Sequence, residues 1–172
     1  MDIKYYGFDT SIGEMFLFFS NRGIVYLSLP GDREDDIVDY VTRKYGQVEE
    51  VESTIYSFHQ QIIEYLVGKL KEFSLPLDLQ GTGFQKKVWK ELLNIPYGQI
   101  RTYKDIAKAV GSPKGYRAVG GALNKNPIPI IVPCHRVVGS GGQLVGFAGG
   151  LDLKEKLLDL EKANYKQTNN CI

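Results

Sequence analysis

Near residue 80 the apolar residues change period, and that change constrains the fold more than any other feature of the chain. Before it, residues 3–8, 15–19 and 23–29 are short runs rich in β-branched and aromatic side chains. Asp9-Thr10-Ser11-Ile12-Gly13 and Asn21-Arg22-Gly23 separate them as turns, so the three runs read as a small antiparallel meander. Residues 35–45 (apolar Ile37, Val38, Val41 and Tyr45) and 53–67 suit amphipathic helices, and residues 73–79 alternate like a strand. Gly81-Thr82-Gly83 then breaks the pattern, and from residue 84 onward the spacing is helical. The expected architecture is α+β. A small N-terminal α/β domain with an antiparallel sheet spans residues 1–80. A mainly helical, winged-helix-like C-terminal domain with a helix-turn-helix spans 81–172.

Charge divides at the same place. The 172 residues carry a net charge of +1, but residues 1–80 hold 7 basic and 14 acidic side chains, whereas residues 81–133 hold 9 basic and 2 acidic ones. The net of +7 makes the middle segment a candidate nucleic-acid surface, with a solvated basic face as the alternative. No run of apolar residues is long enough to cross a membrane and no secretory signal precedes the first strand, so a cytosolic protein without membrane contact is expected.

Within the basic segment, Val88, Trp89, Leu92 and Leu93 mark one helix. Residues 102–110 mark a second, with Thr102 as cap, Asp105 three positions on, and Ile106, Ala107 and Val110 as its stripe. Gly111-Ser112-Pro113 ends that helix and caps the next, residues 114–124, whose Ala118, Val119, Ala122 and Leu123 share a face. Helix, glycine turn and small-residue helix read as a helix-turn-helix or as an ordinary helical hairpin; only the former uses the basic excess. The prolines of Asn126-Pro127-Ile128-Pro129-Ile130-Ile131-Val132-Pro133 exclude a helix. A glycine-rich loop fills 139–150, and Leu153, Leu157, Leu158 and Leu160 mark a last helix over 151–162.

Cys134 follows the proline run directly and precedes His135. The two cysteines, Cys134 and Cys171, and two histidines, His59 and His135, have no zinc-site spacing, so neither metal nor cofactor is expected. Cys171, near the C-terminus, is expected to be dispensable. A thiol beside an imidazole is a candidate nucleophile, because the thiolate and not the thiol attacks. Neighbours in sequence need not touch, so the pair alone is equally compatible with a buried structural cysteine.

The pair has company. Ile95-Pro96-Tyr97-Gly98, Thr102-Tyr103-Lys104-Asp105-Ile106-Ala107, Arg117-Ala118-Val119-Gly120-Gly121-Ala122, Asn126-Pro127, Pro133-Cys134-His135-Arg136-Val137 and Gly146-Phe147-Ala148-Gly149-Gly150-Leu151 occur in this order. Together they resemble the O6-alkylguanine-DNA alkyltransferase family over residues 84 to about 162. The resemblance implies irreversible, stoichiometric transfer of an alkyl group from O6-alkylguanine, and from O4-alkylthymine, to Cys134. The protein would act as a monomer on double-stranded DNA, from the minor groove, with the damaged nucleotide flipped out.

By the same resemblance Arg117 fills the gap left by the flipped base, and Gly120 and Gly121 allow close approach to the groove. His135 takes the thiol proton through a water, and Glu161 orients and charges the histidine. Tyr103 donates its hydroxyl to the guanine. Val137, Phe147, Ala148 and Gly149 form the substrate pocket, and Asn126 braces the backbone leading to the cysteine. Gln85, Lys104, Ser112 and Ser140, with Tyr103, contact DNA. A thiol pKa below the ordinary value is expected. Position 147 holds Phe where the family usually has Tyr, and the zinc ligands of some relatives are missing. The alternatives are an alkyltransferase-like protein that binds lesions without chemistry, which Cys134 argues against, and a cysteine hydrolase, which leaves Arg117 without a role.

Overall fold

The computed structural model describes residues 1–163 and Tyr165, and its chain divides into two compact units, Met1–Gln80 and Gly81–Ile172. The first unit is built on a four-stranded sheet. Strands β1 (Ile3–Thr10), β2 (Gly13–Ser20) and β3 (Gly23–Leu27) form the antiparallel meander, with Tyr5 opposite Phe18 and Phe18 opposite Tyr26. Helix α1 (Glu34–Tyr45) follows, and β4 (Val48–Glu50) then joins the far side of β1 in parallel, so the order is β3-β2-β1-β4 and the sheet is mixed, not purely antiparallel.

Burial explains the long apolar run of β2. The Ile37, Val41 and Tyr45 stripe of α1 covers one face of the sheet, against Ile3, Tyr5, Phe16 and Phe18. On the other face Tyr6 and Phe19 meet Tyr56, Phe58 and His59, with ring centroids 4.6–5.9 Å apart. A strand covered on both faces has no polar side to alternate with. The second expected helix is shorter than its pattern: a 3-10 turn at Ser53–Ile55 leads into α2 (Phe58–Leu66). Residues 73–79 make only an isolated bridge, Leu77 to Ile24, in place of the expected strand.

In the second unit α3 (Gly83–Leu93) opens with a complete capping box. Gln85 N–H donates to Thr82 Oγ1, and Thr82 N–H donates to Gln85 Oε1. Strand β5 (Arg101–Thr102) leads into α4 (Tyr103–Ala109), which repeats the device with Thr102 and Asp105. Gly111 (φ +79°) terminates α4 in the left-handed conformation that a side chain would resist. Helix α5 (Tyr116–Asn124) packs on α3 and α4, and Trp89 Nε1–H donates to Ala122 O at 2.9 Å inside that junction. α5 starts two residues later than its pattern predicts, its N-cap is Gly115 with no side-chain cap from Ser112, and Ala118 lies on its exposed side while Val119, Ala122 and Leu123 are buried.

Beyond a 3-10 turn at Cys134–Arg136, strand β6 (Val137–Val138) pairs in parallel with β5, and α6 (Leu151–Leu160) closes the unit over Val138 and Leu144. No helix among the described residues is long and apolar enough to span a membrane. Cys171 lies outside the described residues.

Candidate active site and nucleic-acid interface

The approach to Cys134 is set by two tight turns. Ile131 N–H donates to Pro129 O across Ile130, whose φ is +73°, and Cys134 N–H donates to Val132 O across Pro133 (φ −81°, ψ 65°). The second is an ordinary inverse γ-turn, whereas the first forces a β-branched residue into the left-handed region, at a cost of about 1–3 kcal/mol. Asn126 holds the strained segment: its Nδ2 donates to Val132 O at 2.8 Å and its Oδ1 accepts from Ile128 N–H at 3.0 Å. The side chain thus braces the backbone leading to the cysteine.

Cys134 is 6% exposed and lines a tight, narrow cavity. Tyr103, Leu123, Asn124, Gly146, Phe147 and Ala148 make the walls. A larger hollow in the first unit, between Tyr6, Gly7 and residues 50–54, has neither a cysteine nor a histidine in its wall, so size does not locate the chemistry. Burial pushes the thiol up from its ordinary value, against the lowering expected from sequence; the Asn126 amide and the Lys154 ammonium oppose that rise. Burial thus favours the neutral thiol over the thiolate. The Tyr103 hydroxyl donates a hydrogen bond to Val145 O at 2.8 Å.

Behind the cavity lies a buried ionic cluster. His135 Nε2 is 3.0 Å from Glu161 Oε1, which fixes Nε2 as the protonated nitrogen of a neutral ring and makes Nδ1 the basic one. Burial lowers the imidazole's pKa despite the carboxylate, so the neutral base is favoured. Glu161 is not the histidine's alone. Arg136 grips both of its oxygens, through Nη2 at 2.7 Å and Nε at 3.0 and 3.1 Å, and donates Nη1 to Ile95 O. Gly98 N–H adds a fourth donor at 3.3 Å. Gly98 sits at φ +77°, and a Cβ there would lie 3.0 Å from Glu161 O. Arg136, read from sequence only as part of a motif, is thus the main partner of Glu161; an arginine beside a histidine gives no sign that it points inward.

The DNA-binding candidates divide. Arg117, Gly121, Lys104 and Ser140 are exposed, Gly120 and Ser112 are half-buried, and Arg117 shares the solvent side of α5 with Tyr116 and Ala118. A Cβ on Gly121 would meet nothing within 4 Å, and one on Gly120 would only touch Tyr103 at 3.8 Å, so within this unit neither position requires glycine. Gln85 is engaged in capping α3 through its carbonyl oxygen. Ala148 and Gly149 are exposed on the loop, with Ala148 in the cavity wall. Val137 O already accepts from Lys154 Nζ at 2.6 Å, a contact to a buried lysine not singled out from the sequence.

Comparison with known proteins agrees over most of the chain. Residues 3–79 match the 6-O-methylguanine DNA methyltransferase ribonuclease-like domain, and residues 83–163 match the DNA binding domain of the same family. The methylated-DNA--protein-cysteine methyltransferase of Methanosarcina barkeri is 46% identical over 160 residues, 92% of this chain and 96% of that protein. The constitutive enzyme of Bacillus subtilis is 42% identical over 92% of this chain and 95% of its own length. Among solved structures, the Mycobacterium tuberculosis O6-methylguanine methyltransferase superposes with a TM-score of 0.77 at 40% identity, covering 93% of each chain. A structure of the M. tuberculosis protein in complex with DNA superposes at 0.76 with 38% identity, over 94% of this chain and 93% of that one. The chain therefore belongs to the 6-O-methylguanine DNA methyltransferase family.

Proposed function

We propose that the protein repairs O6-alkylguanine and O4-alkylthymine in DNA by moving the alkyl group onto Cys134, once per molecule. The observation that carries this reading is a lone cysteine lining a narrow cavity, backed by a buried His–Glu–Arg cluster, in the unit that presents Arg117 on an exposed helix.

In the transfer, the Cys134 thiol gives its proton to His135 Nδ1 through a water. The thiolate attacks the alkyl carbon, an S–C bond forms, and the C–O6 bond breaks with its electron pair going to the base. The proton lost by the thiol ends on the guanine, so a thioether and an unmodified guanine are the products. Water does not cleave the S–C bond of a thioether, so the cysteine is not regenerated and each molecule acts once. Glu161, already held by Arg136, fixes the ring so that Nδ1 faces the reaction. Tyr103 exchanges its bond to Val145 O for one to the flipped base, and the Ala148 amide and Val137 carbonyl read the base edge. Phe147 supplies an apolar wall without a hydroxyl.

DNA would lie in its minor groove on the exposed side of α5, positioned by Lys104, Ser112 and Ser140, with Arg117 entering the stack. The glycines at 120 and 121 leave room for a sugar-phosphate wall rather than for neighbours within the fold.

Intact-mass measurement after incubation with duplex carrying O6-methylguanine tests the reaction. One added methyl group, mapped by peptide sequencing to Cys134, is expected. A lysate-free reaction that demethylates the duplex without changing the protein mass would point to a turnover enzyme. Arg117→Ala is expected to slow duplex repair at least about tenfold more than reaction with free O6-benzylguanine, because only the duplex substrate incurs unstacking, worth a few kcal/mol. Equal slowing on both substrates would place Arg117 in the pocket.

A further inference from the structure

The wall of the Cys134 cavity carries two polar side chains, Tyr103 and Asn124, and only the first has a part in the reaction described so far. Asn124 lines the cavity next to Leu123, yet Leu123 is buried and Asn124 is exposed, which puts the asparagine at the mouth. Among the described residues its side-chain amide has no hydrogen-bond partner. Two N–H donors and a carbonyl oxygen are therefore left for a ligand or for water.

Its place on α5 narrows the ligand. Asn124 follows Arg117 by seven residues, two turns of helix, so both lie on the exposed stripe that also holds Gly121. They stand about 10 Å apart along the axis. Gly120 and Gly121 lie between them, and a Cβ on Gly121 would meet nothing within 4 Å. With Arg117 in the gap of the stack and the base in the cavity, the sugar-phosphate of one nucleotide has to bridge the two places. It then passes the mouth where Asn124 stands.

The electrostatics suit that occupant only if a donor is present. Asn124 is the last residue of α5, where unpaired carbonyls form the negative end of the helix dipole, so a phosphate arriving there needs an N–H to meet it. The amide supplies one, and Lys125, exposed beside it, adds positive charge. Helix stability does not call for asparagine here, since alanine is the better helix former.

We propose that Asn124 binds the backbone of the flipped nucleotide, donating from its side-chain amide to a phosphate oxygen at the cavity mouth and so holding the alkyl carbon against Cys134. This rests on the reading of Cys134 as acceptor from a flipped base.

The test is the rate of alkyl transfer, read from the mass of the protein, with O6-methylguanine in a duplex, O6-methylguanine in a single strand, and free O6-benzylguanine. Asn124→Ala should slow both oligonucleotides at least about tenfold more than the free base, the loss expected for one hydrogen bond to a charged group. Arg117→Ala differs, because its loss should be confined to the duplex. In a second arm the phosphate on one or the other side of the lesion is replaced by a neutral methylphosphonate. At one of the two positions wild-type protein should slow at least about fivefold, and Asn124→Ala should slow no further, because the two changes remove the same contact. Asn124→Asp should be slower than Asn124→Ala on the native duplex, by repulsion, and should regain rate on the neutral linkage. Equal slowing of free base and oligonucleotides would place Asn124 on the base and overturn the proposal. So would losses from Asn124→Ala and from both methylphosphonates that simply multiply, or wild-type rates for Asn124→Ala on every substrate. Wild-type protein that takes no alkyl group from any substrate overturns the alkyl-acceptor reading itself.

Discussion

Cys134→Ser protein is expected to take no methyl group from O6-methylguanine duplex while binding that duplex within about threefold of wild type. The hydroxyl is a far poorer nucleophile at neutral pH, and here its only base is a buried neutral imidazole. Binding should persist because the exposed residues of α5 belong to a helix that the substitution does not touch. The serine hydroxyl enters a site that is 6% exposed, so a thermal melt must accompany the assay. Methyl transfer by a folded Cys134→Ser protein would remove Cys134 from the reaction; loss of both transfer and binding in a folded protein would mean that the cysteine helps to shape the interface.

Arg136→Met is expected to be the most damaging single substitution for stability. It takes the bonds from Arg136 Nε and Nη2 away from the Glu161 carboxylate, whose side chain is fully buried. Breaking a buried pair from one side costs about 3–5 kcal/mol, and at this chain length about 2–4 °C in Tm accompanies each kcal/mol. A fall of at least about 6 °C should follow. The double variant Arg136→Met with Glu161→Gln should be more stable than Arg136→Met alone, because the uncompensated charge is then absent. Denaturant unfolding of the three proteins checks this. A single variant within about 1 kcal/mol of wild type would show that the carboxylate finds water or another donor.

The same pair changes what Glu161 does. A glutamate at the C-terminal end of α6 faces the negative end of the helix dipole, an unfavourable place for an anion. Arg136 offsets this, and in doing so neutralises much of the charge that would otherwise reach His135. The carboxylate then acts on the imidazole mainly by fixing its tautomer. A charge-driven relay and the low thiol pKa expected from sequence both give way to a buried Cys134–His135 pair whose neutral forms burial favours.

Local chemistry explains which elements were legible. The capping boxes at Thr82–Gln85 and Thr102–Asp105 are each set within three residues; the second forms as expected, and the first was not read from the sequence. The meander, the boundary of α3 and the buried stripe of α4 follow from short-range periodicity in the same way. The strand expected at 73–79 fails because alternation alone provides no partner: β3 is met there by a single bridge, closed by Ile24 N–H to Pro76 O and Asp78 N–H to Ile24 O. The parallel placement of β4 depends on α1 carrying the chain back across the sheet, and three residues hold no record of that direction.

By itself, then, the sequence determined the two-part α+β organisation, the helix-turn-helix and the cysteine with its motif, since periodicity, caps and prolines act within a few residues. Only the tertiary structure decided that Arg136 and Lys154 point inward. Both are cations given no inward role from the sequence, and each is held by acceptors on other segments of the chain: Glu161 and Ile95 for Arg136, Val137 and Val145 for Lys154. Burying either charge becomes tolerable only once folding has brought those acceptors together, so the protonation state of the thiol is a property of the assembled unit and not of the Cys-His dipeptide.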